Sequence, residues 1–326
     1  VAVLGALAAP ARAQRGIDVE TFRPAVDSFG LFSIERAETS KQFDFGFKLF
    51  LDYAHAPLRL AMKDDAGRDL KTVMSFQGVA HIGVHLGLTD WMELALDIPA
   101  SVQRYASIYG VPIMDSAMPG VAPAPTGFFA AEPRTNVGTP DAGPLDPRVA
   151  VKLRTRRLGP VGLGLVLAAT IPFGDESAFT GDANFTFRPN AIFDITVGRF
   201  TLALNAGAIV RKQTTVLDPA DVVAMSAAPA HLISVGTEVT GGLGVGVRPT
   251  SWLGIAAEGY ALIPVTSEGG ATAASADYVL DVLGGLQFFP GRDITISVGG
   301  GAGLLQSRRH DLFRAFLGLS WAPSGA

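Results

Sequence analysis

The sequence predicts an all-β fold: a transmembrane, antiparallel, up-and-down β-barrel of about 12 strands, with both termini periplasmic. Three observations predict it. Apolar and polar residues alternate along one stretch after another, as in Met74, Phe76, Ala80, Ile82, Val84 and Leu86 against Ser75, Gln77, His81 and His85. A period of two places one set on each face of a strand. The chain is apolar, with 17% charged residues and a mean hydropathy of +0.32, yet it has no charge-free run of about 20 apolar residues to make a membrane helix. Only helices and closed barrels satisfy their backbone hydrogen bonds in lipid, so this composition points to a barrel. Finally, short and long connections alternate, as periplasmic turns and outer loops do in bacterial barrels.

At 326 residues the chain has the length of two ordinary domains or of one large closed sheet. Its 38 glycines exceed the usual share of about 7% and suit curved strands. A net charge of −4, a pI of ≈ 5.7 and the lack of a basic stripe argue against nucleic acid as a partner. With no cysteine, disulfides and thiolate metal sites are excluded. Residues 1–13 read as a signal-peptide remnant. The apolar run Val1 to Ala9 precedes Ala11-Arg12-Ala13, an A-x-A cleavage pattern that puts the mature start near Gln14.

Residues 14–41 follow neither period. Their Phe22, Phe29 and Phe32 predict packing against something, either in the barrel or at its periplasmic mouth. The barrel is expected over 42–322, with 323–326 as a linker or tail. Its first strand, QFDFGFKLFLDY, puts Phe43, Phe45, Phe47, Leu49, Leu51 and Tyr53 outward and Asp44, Gly46, Lys48 and Asp52 inward. After a polar loop (DDAGRD), the second strand turns at Leu88-Thr89-Asp90 into a third, where Met92, Leu94, Leu96 and Ile98 oppose Glu93, Ala95 and Asp97. A long Pro- and Gly-rich connection runs from about Ser101 to Asp146 and suits a surface loop.

The later strands repeat the pattern. Val149, Val151 and Leu153 oppose Arg148, Lys152 and Arg154, and the turn RRLGP leads to an apolar face from Val161 to Ile171. Beyond a Gly/Asp loop, Phe187, Ala191, Phe193 and Ile195 oppose Arg188, Asn190 and Asp194; a turn at Gly198 leads to Phe200 through Val210, with Arg211 on the other face. Residues 231–247 are expected to form one strand, with Val235, Val239 and Leu243 outward and Glu238 and Thr240 inward. Ile255 and Ile263 then oppose Glu258 and Tyr260, Leu280 and Val282 oppose Asp281, and after ITISVGGGAGLL the closing strand sets Phe313, Leu317 and Trp321 against Arg314. A soluble sandwich also alternates, but apolar faces this wide on nearly every strand would need a very large core.

The inward charges form the candidate functional set, the lumen lining. Seven are basic: Lys48, Arg148, Lys152, Arg154, Arg188, Arg211 and Arg314. Eight are acidic: Asp44, Asp52, Glu93, Asp97, Asp194, Glu238, Glu258 and Asp281. So balanced a lumen can pair across itself, as buried charges must, whereas a selective pore shows a ring of one sign. The expectation is a largely closed, side-chain-filled barrel, with an open pore as the alternative. His81 and His85 complete the lining. Four residues apart on a strand, they stand roughly 13 Å from one another, too far to share a metal ion. GGLGVG and VGGGAG lie within strand patterns rather than before helices, so they are not read as phosphate loops. Asp175, Glu176 and Asp182 lack EF-hand spacing, and no nucleophile elbow is present. The residues therefore imply no enzyme, no metal and no cofactor.

The segments VETFRPAVDSFGLFSIE, FLDYAHAPLRL, HLGLTDWMELALDIP and GLSWAP resemble the barrel portion of OmpA-family outer-membrane proteins of the myxobacterial and deltaproteobacterial type, a likeness covering most of residues 18–322. It implies a bacterial outer-membrane location and a structural or anchoring role with surface-exposed loops; a porin-like passive channel for small hydrophilic solutes is the alternative. The implied partners are outer-membrane lipid and lipopolysaccharide, the barrel-assembly machinery, and peptidoglycan through a domain that family members carry and this sequence does not include.

Overall fold

Alternating residues give 15 strands in the computed structural model, which describes residues 17–62, 69–105, 140–174, 179–182, 184–217, 231–265, 278–305, 307, 309 and 311–323. The signal-peptide expectation for 1–13 and the acidic-loop residues Asp175 and Glu176 lie outside them. In chain order the strands are β1 (Phe45–Met62), β2 (Asp69–Thr89), β3 (Met92–Tyr105), β4 (Asp141–Pro144), β5 (Arg148–Arg154), β6 (Val161–Thr170), β7 (Thr186–Val197), β8 (Phe200–Ile209), β9 (Thr214–Leu217), β10 (His231–Val235), β11 (Glu238–Val247), β12 (Leu253–Pro264), β13 (Val279–Phe288), β14 (Ile294–Gly303) and β15 (Phe313–Trp321).

Every pairing between neighbours is antiparallel, and the sheet closes on itself. Thirteen strands run in the order β2-β1-β15-β14-β13-β12-β11-β8-β7-β6-β5-β3-β4, and a further β2–β3 pairing completes the circuit. Since β4 and β5 lie end to end along β3, the ring has twelve positions. β9 and β10 form a two-stranded extension beyond β8 and β11. First and last spanning strands meet from Phe47 opposite Trp321 to His55 opposite Phe313. Among the described residues every one of the twelve ring positions is paired on both sides, as a barrel in lipid requires.

The outer face carries the apolar parity: Leu51, Ile82, Leu94, Leu204, Val282 and Leu317 are all exposed. Aromatic contacts mark both ends of this belt. Phe45 meets Trp321 at 5.0 Å beside the short turns, and Tyr53 meets Phe76 and Phe313, each at 5.8 Å, toward the long loops. Phe45 and Tyr53 are eight residues apart on β1, about 26 Å of strand, or roughly 20 Å along the membrane normal after tilt, which is most of the about 25 Å apolar band of a membrane barrel.

Four expectations are corrected. Met74, assigned to the outward face, is fully buried, because the register slips between Met74 and Phe76 and between His55 and Leu58; Ala56 in this bulge takes φ 53°. An extra residue in one strand reverses the parity beyond it. Val235, also expected outward, is buried, since Gly236 and Thr237 interrupt 231–247 and split it into β10 and β11. Phe43 precedes β1 rather than belonging to it, and its φ of 65° turns the chain from the lumen into the wall. Between β7 and β8 the ladder stops at Asn190 opposite Gly207 and resumes only as a bridge from Phe187 to Val210. Pro189 in that gap has no N–H to offer.

Leu204→Arg should impair folding into lipid vesicles by about 2 to 4 kcal/mol, the cost of a guanidinium on the lipid face near mid-depth. Thr240→Asn, on the other face, should change it by less than about 1 kcal/mol. Equal losses in a refolding titration would contradict the assignment of faces.

Candidate functional site

Residues 17–41 form no helix or strand and fill the interior. Ile17, Val19, Phe22, Val26, Phe32, Ile34 and Ala37 are all buried. At the short-turn end, the amide of Ser40 donates to Glu93 (2.6 Å) and that of Ala37 to Asp194 (2.5 Å). Midway, Asn205 accepts the Glu35 amide (2.8 Å), and Glu258 accepts three consecutive amides, Phe32 (3.1 Å), Ser33 (2.7 Å) and Ile34 (3.3 Å), besides the Ser33 hydroxyl (2.5 Å). Toward the long loops, the Asp18 amide donates to Asp182 (3.2 Å). The segment thus runs along the barrel axis from one end toward the other.

The physical reason is that buried amides need acceptors. Among the described residues no strand lies beside this segment to supply carbonyls, so wall carboxylates, together with the segment's own Asp18, Asp27 and Glu35, take that place. Cations do the same for its carbonyls: Arg148 donates to Pro24 (2.7 Å), and Lys48 to Asp27 (2.9 Å) and Ala25. The segment's own carboxylates are paired too. Lys152 bonds Asp27, and also Glu35 at 3.3 Å. His81 lies between Glu20 (2.9 Å) and Asp97 (3.2 Å), while His85 contacts Ser28 (2.9 Å) and Ser40 (3.0 Å).

Apolar packing accompanies the polar contacts. Phe22 and Phe32 join Phe50 and Phe316 of the wall, with ring centroids 4.6 to 6.2 Å apart, in a cluster that also contains Ile209, Tyr260 and Leu283. Val26 and Ala37 pack on Ala150, Val166 and Ile192 across the lumen. Glycines on the inner face of β11 make room: a Cβ at Gly242 would collide with Ile34, and one at Gly244 with Leu31.

Of the residues assigned to the lumen lining, Lys48, Asp52, His81, His85, Glu93, Asp97, Arg148, Lys152, Asp194, Arg211, Glu238, Glu258, Asp281 and Arg314 are buried. Toward the long-loop end, Arg211 pairs with Asp182 (3.0 Å) and Glu238, and Arg314 with Asp52 and Asp311. Arg188 is partly buried. Two residues sit at the short-turn rim instead. Arg154 donates its Nε to the Asp90 carbonyl (2.7 Å), and Asp44 precedes β1, its carbonyl accepting the Gly87 amide (2.9 Å). Sequence reasoning missed the partners contributed by the segment itself, namely Asp18, Glu20, Arg23, Asp27 and Glu35. Their signal was a charge-rich stretch that also carries buried-type aromatics.

Glu20, Asp52 and His81 bring one ligand atom each within 4.8 Å of one another. Arg23 lies 3.2 Å from Glu20, and Arg314 bonds Asp52, so protein cations already occupy the charge position that a metal ion would take.

Lys152→Met should loosen the segment without opening the wall. Removing one partner of a buried pair typically costs about 3 to 5 kcal/mol, and here it strands both Asp27 and Glu35. Amide exchange at Val26 and Ala37 should accelerate by at least tenfold while that of β12 and β13 is unchanged. Exchange identical to that of the parent chain would contradict this.

The fold is similar to that of the COG4313 outer membrane channel from Pseudomonas putida F1, with a TM-score of 0.58 and 12% identity, over 88% of this chain and 98% of that one. The NanC porin follows at 0.48 and 8% identity, over 85% and 98%, and the toluene transporter TbuX of Ralstonia pickettii at 0.43 and 10%, over 95% and 97%. No protein-family model and no curated protein matches the sequence. The likeness is therefore one of architecture: a closed, antiparallel, all-β barrel of the outer-membrane type.

Proposed function

We propose that the protein is a bacterial outer-membrane channel for small hydrophilic solutes whose lumen is held closed by residues 17–41. One observation carries this reading. The wall closes through β1–β15 and β2–β3 ladders that do not involve the segment, whereas the described bonds between residues 17–40 and the wall all use a side chain. Closing the lumen is thus separable from closing the barrel. Twelve strands stand between the eight that side chains fill and the sixteen to eighteen that leave an aqueous pore, so the interior segment decides. An anchoring role, implied by the OmpA-family resemblance, is favoured by no contact described above. In this reading lipid and lipopolysaccharide surround the apolar belt, the barrel-assembly machinery inserts the chain, and the short turns face the periplasm.

In planar bilayers the intact chain should give small or intermittent conductance, and deletion of residues 14–41 should give large, steady steps. Large steps from the intact chain would remove the closed-lumen reading; silence after the deletion would remove the channel.

Orientation is tested separately. A protease site inserted near Thr250 should be protected on intact cells, and one near Thr126 should be cut. The reverse pattern, or cleavage of both, would overturn the orientation.

A further inference from the structure

Between the interior segment and the wall formed by β6–β8, β11 and β12 lies a cavity of about 140 Å³. Val26 and Ile34 from the segment and Val166, Ile209 and Leu262 from the wall give it an apolar side. Its charged side holds three guanidiniums, Arg23, Arg148 and Arg188, against a single carboxylate, Glu35. That carboxylate is engaged elsewhere, by Lys152 (3.3 Å) and the Val26 amide (2.7 Å).

The three cations differ in what already neutralises them. Arg23 pairs with Asp18 and Glu20, and Arg148 with Asp97 (3.2 Å). Arg188 makes no ion pair and no hydrogen bond among the described residues. The acids nearest to it electrostatically, Asp18 and Asp182, are taken by Arg23 and Arg211. The Nε atoms of Arg23, Arg148 and Arg188 are all buried without an acceptor. Arg188 is only partly buried, but a guanidinium drawn out of bulk water without a counter-charge is still costly, and such a site is completed either by a counter-charge or by water.

From this geometry we infer that the cavity binds a small organic anion, a monocarboxylate whose carboxylate meets Arg188 and whose compact apolar body lies against Val26, Ile34, Val166 and Leu262. The volume sets the size of that body, since an apolar cavity of about 150 Å³ accommodates benzene. Guanidinium and carboxylate match as a planar, charge-assisted pair. Asn190, Asn205 and Thr240 on the same lining can hydrogen-bond the remaining lone pairs. This assignment rests on the closed lumen and not on solute transport.

Benzoate is a suitable probe, titrated calorimetrically into the intact chain folded in detergent. Saturable binding is expected, at least tenfold tighter than that of benzamide, which has the same shape without the charge, and of sulfate, which has charge without the apolar body. Arg188→Gln should weaken benzoate by at least tenfold. Thr240→Leu, which keeps every charge and fills the space, should do the same, so the test survives if one variant fails to fold. Absence of saturable binding, equal affinity for benzamide or sulfate, or parental affinity in a folded variant would overturn the site. Conductance is read separately. A chain that binds benzoate but stays silent after deletion of 14–41 retains the site and loses the channel, and one that conducts without binding does the opposite.

Discussion

Satisfaction of buried polar groups is the constraint on which the interior depends. A barrel wall uses its backbone N–H and C=O groups on its own ladders, and has none left for a chain passing through the lumen. Residues 17–41 nevertheless bring their amides into that space. Glu93, Asp194, Glu258 and Asp182 accept them, and Lys48 and Arg148 donate to the carbonyls. Each such bond to a charged group contributes about 1.5 to 3 kcal/mol, and the charge of the wall residue is dispersed in return. The lumen charges are satisfied in two ways, by direct pairs between wall residues such as Arg148–Asp97, His85–Glu93 and Arg314–Asp52, and by the segment, as at Lys152 and Glu258.

Much of the wall was legible in the sequence because a period of two is a local property. Each strand shows its own two faces, and the long run of neighbours made a closed sheet the economical answer. Reading failed where one residue is inserted or a strand is cut. Met74 keeps the expected spacing in sequence, but the bulge before Phe76 turns it inward; Val235 lies beyond a break at Gly236 that a continuous pattern conceals. Arg154 has the correct parity and the wrong depth. It is the last residue of β5, where the nearest acceptor is the carbonyl of Asp90 on the rim.

The interior segment was legible only as something that must pack. It has no period because its neighbours are not a flat sheet but side chains converging from several strands, far apart in sequence. Glu258, Asp194 and Glu93 lie on β12, β7 and β3, and nothing in the spacing of residues 32–40 announces that these three carboxylates will receive them. The glycines of β11 were a fairer clue. Gly242 and Gly244 remove side chains from one inner strip of wall, and Leu31 and Ile34 occupy the strip. A thinned wall facing an aromatic, charge-bearing leader is a relation between two distant stretches, which single-strand patterns cannot express.

How firmly the lumen is closed follows from the kind of bond used. A strand added to the wall would be held by a cooperative ladder and could leave only by opening the barrel. The segment is held by separate side-chain contacts at three depths, near Glu93, near Glu258 and near His81, with the stacked Phe22, Phe32, Phe50 and Phe316 between them. The wall ladders do not run through these contacts, so loss of a contact at one depth breaks no wall bond. The chain therefore combines a wall closed by its own ladders with an interior segment tied to it through side chains, and a segment held in that way is where a stability lower than that of the wall is expected.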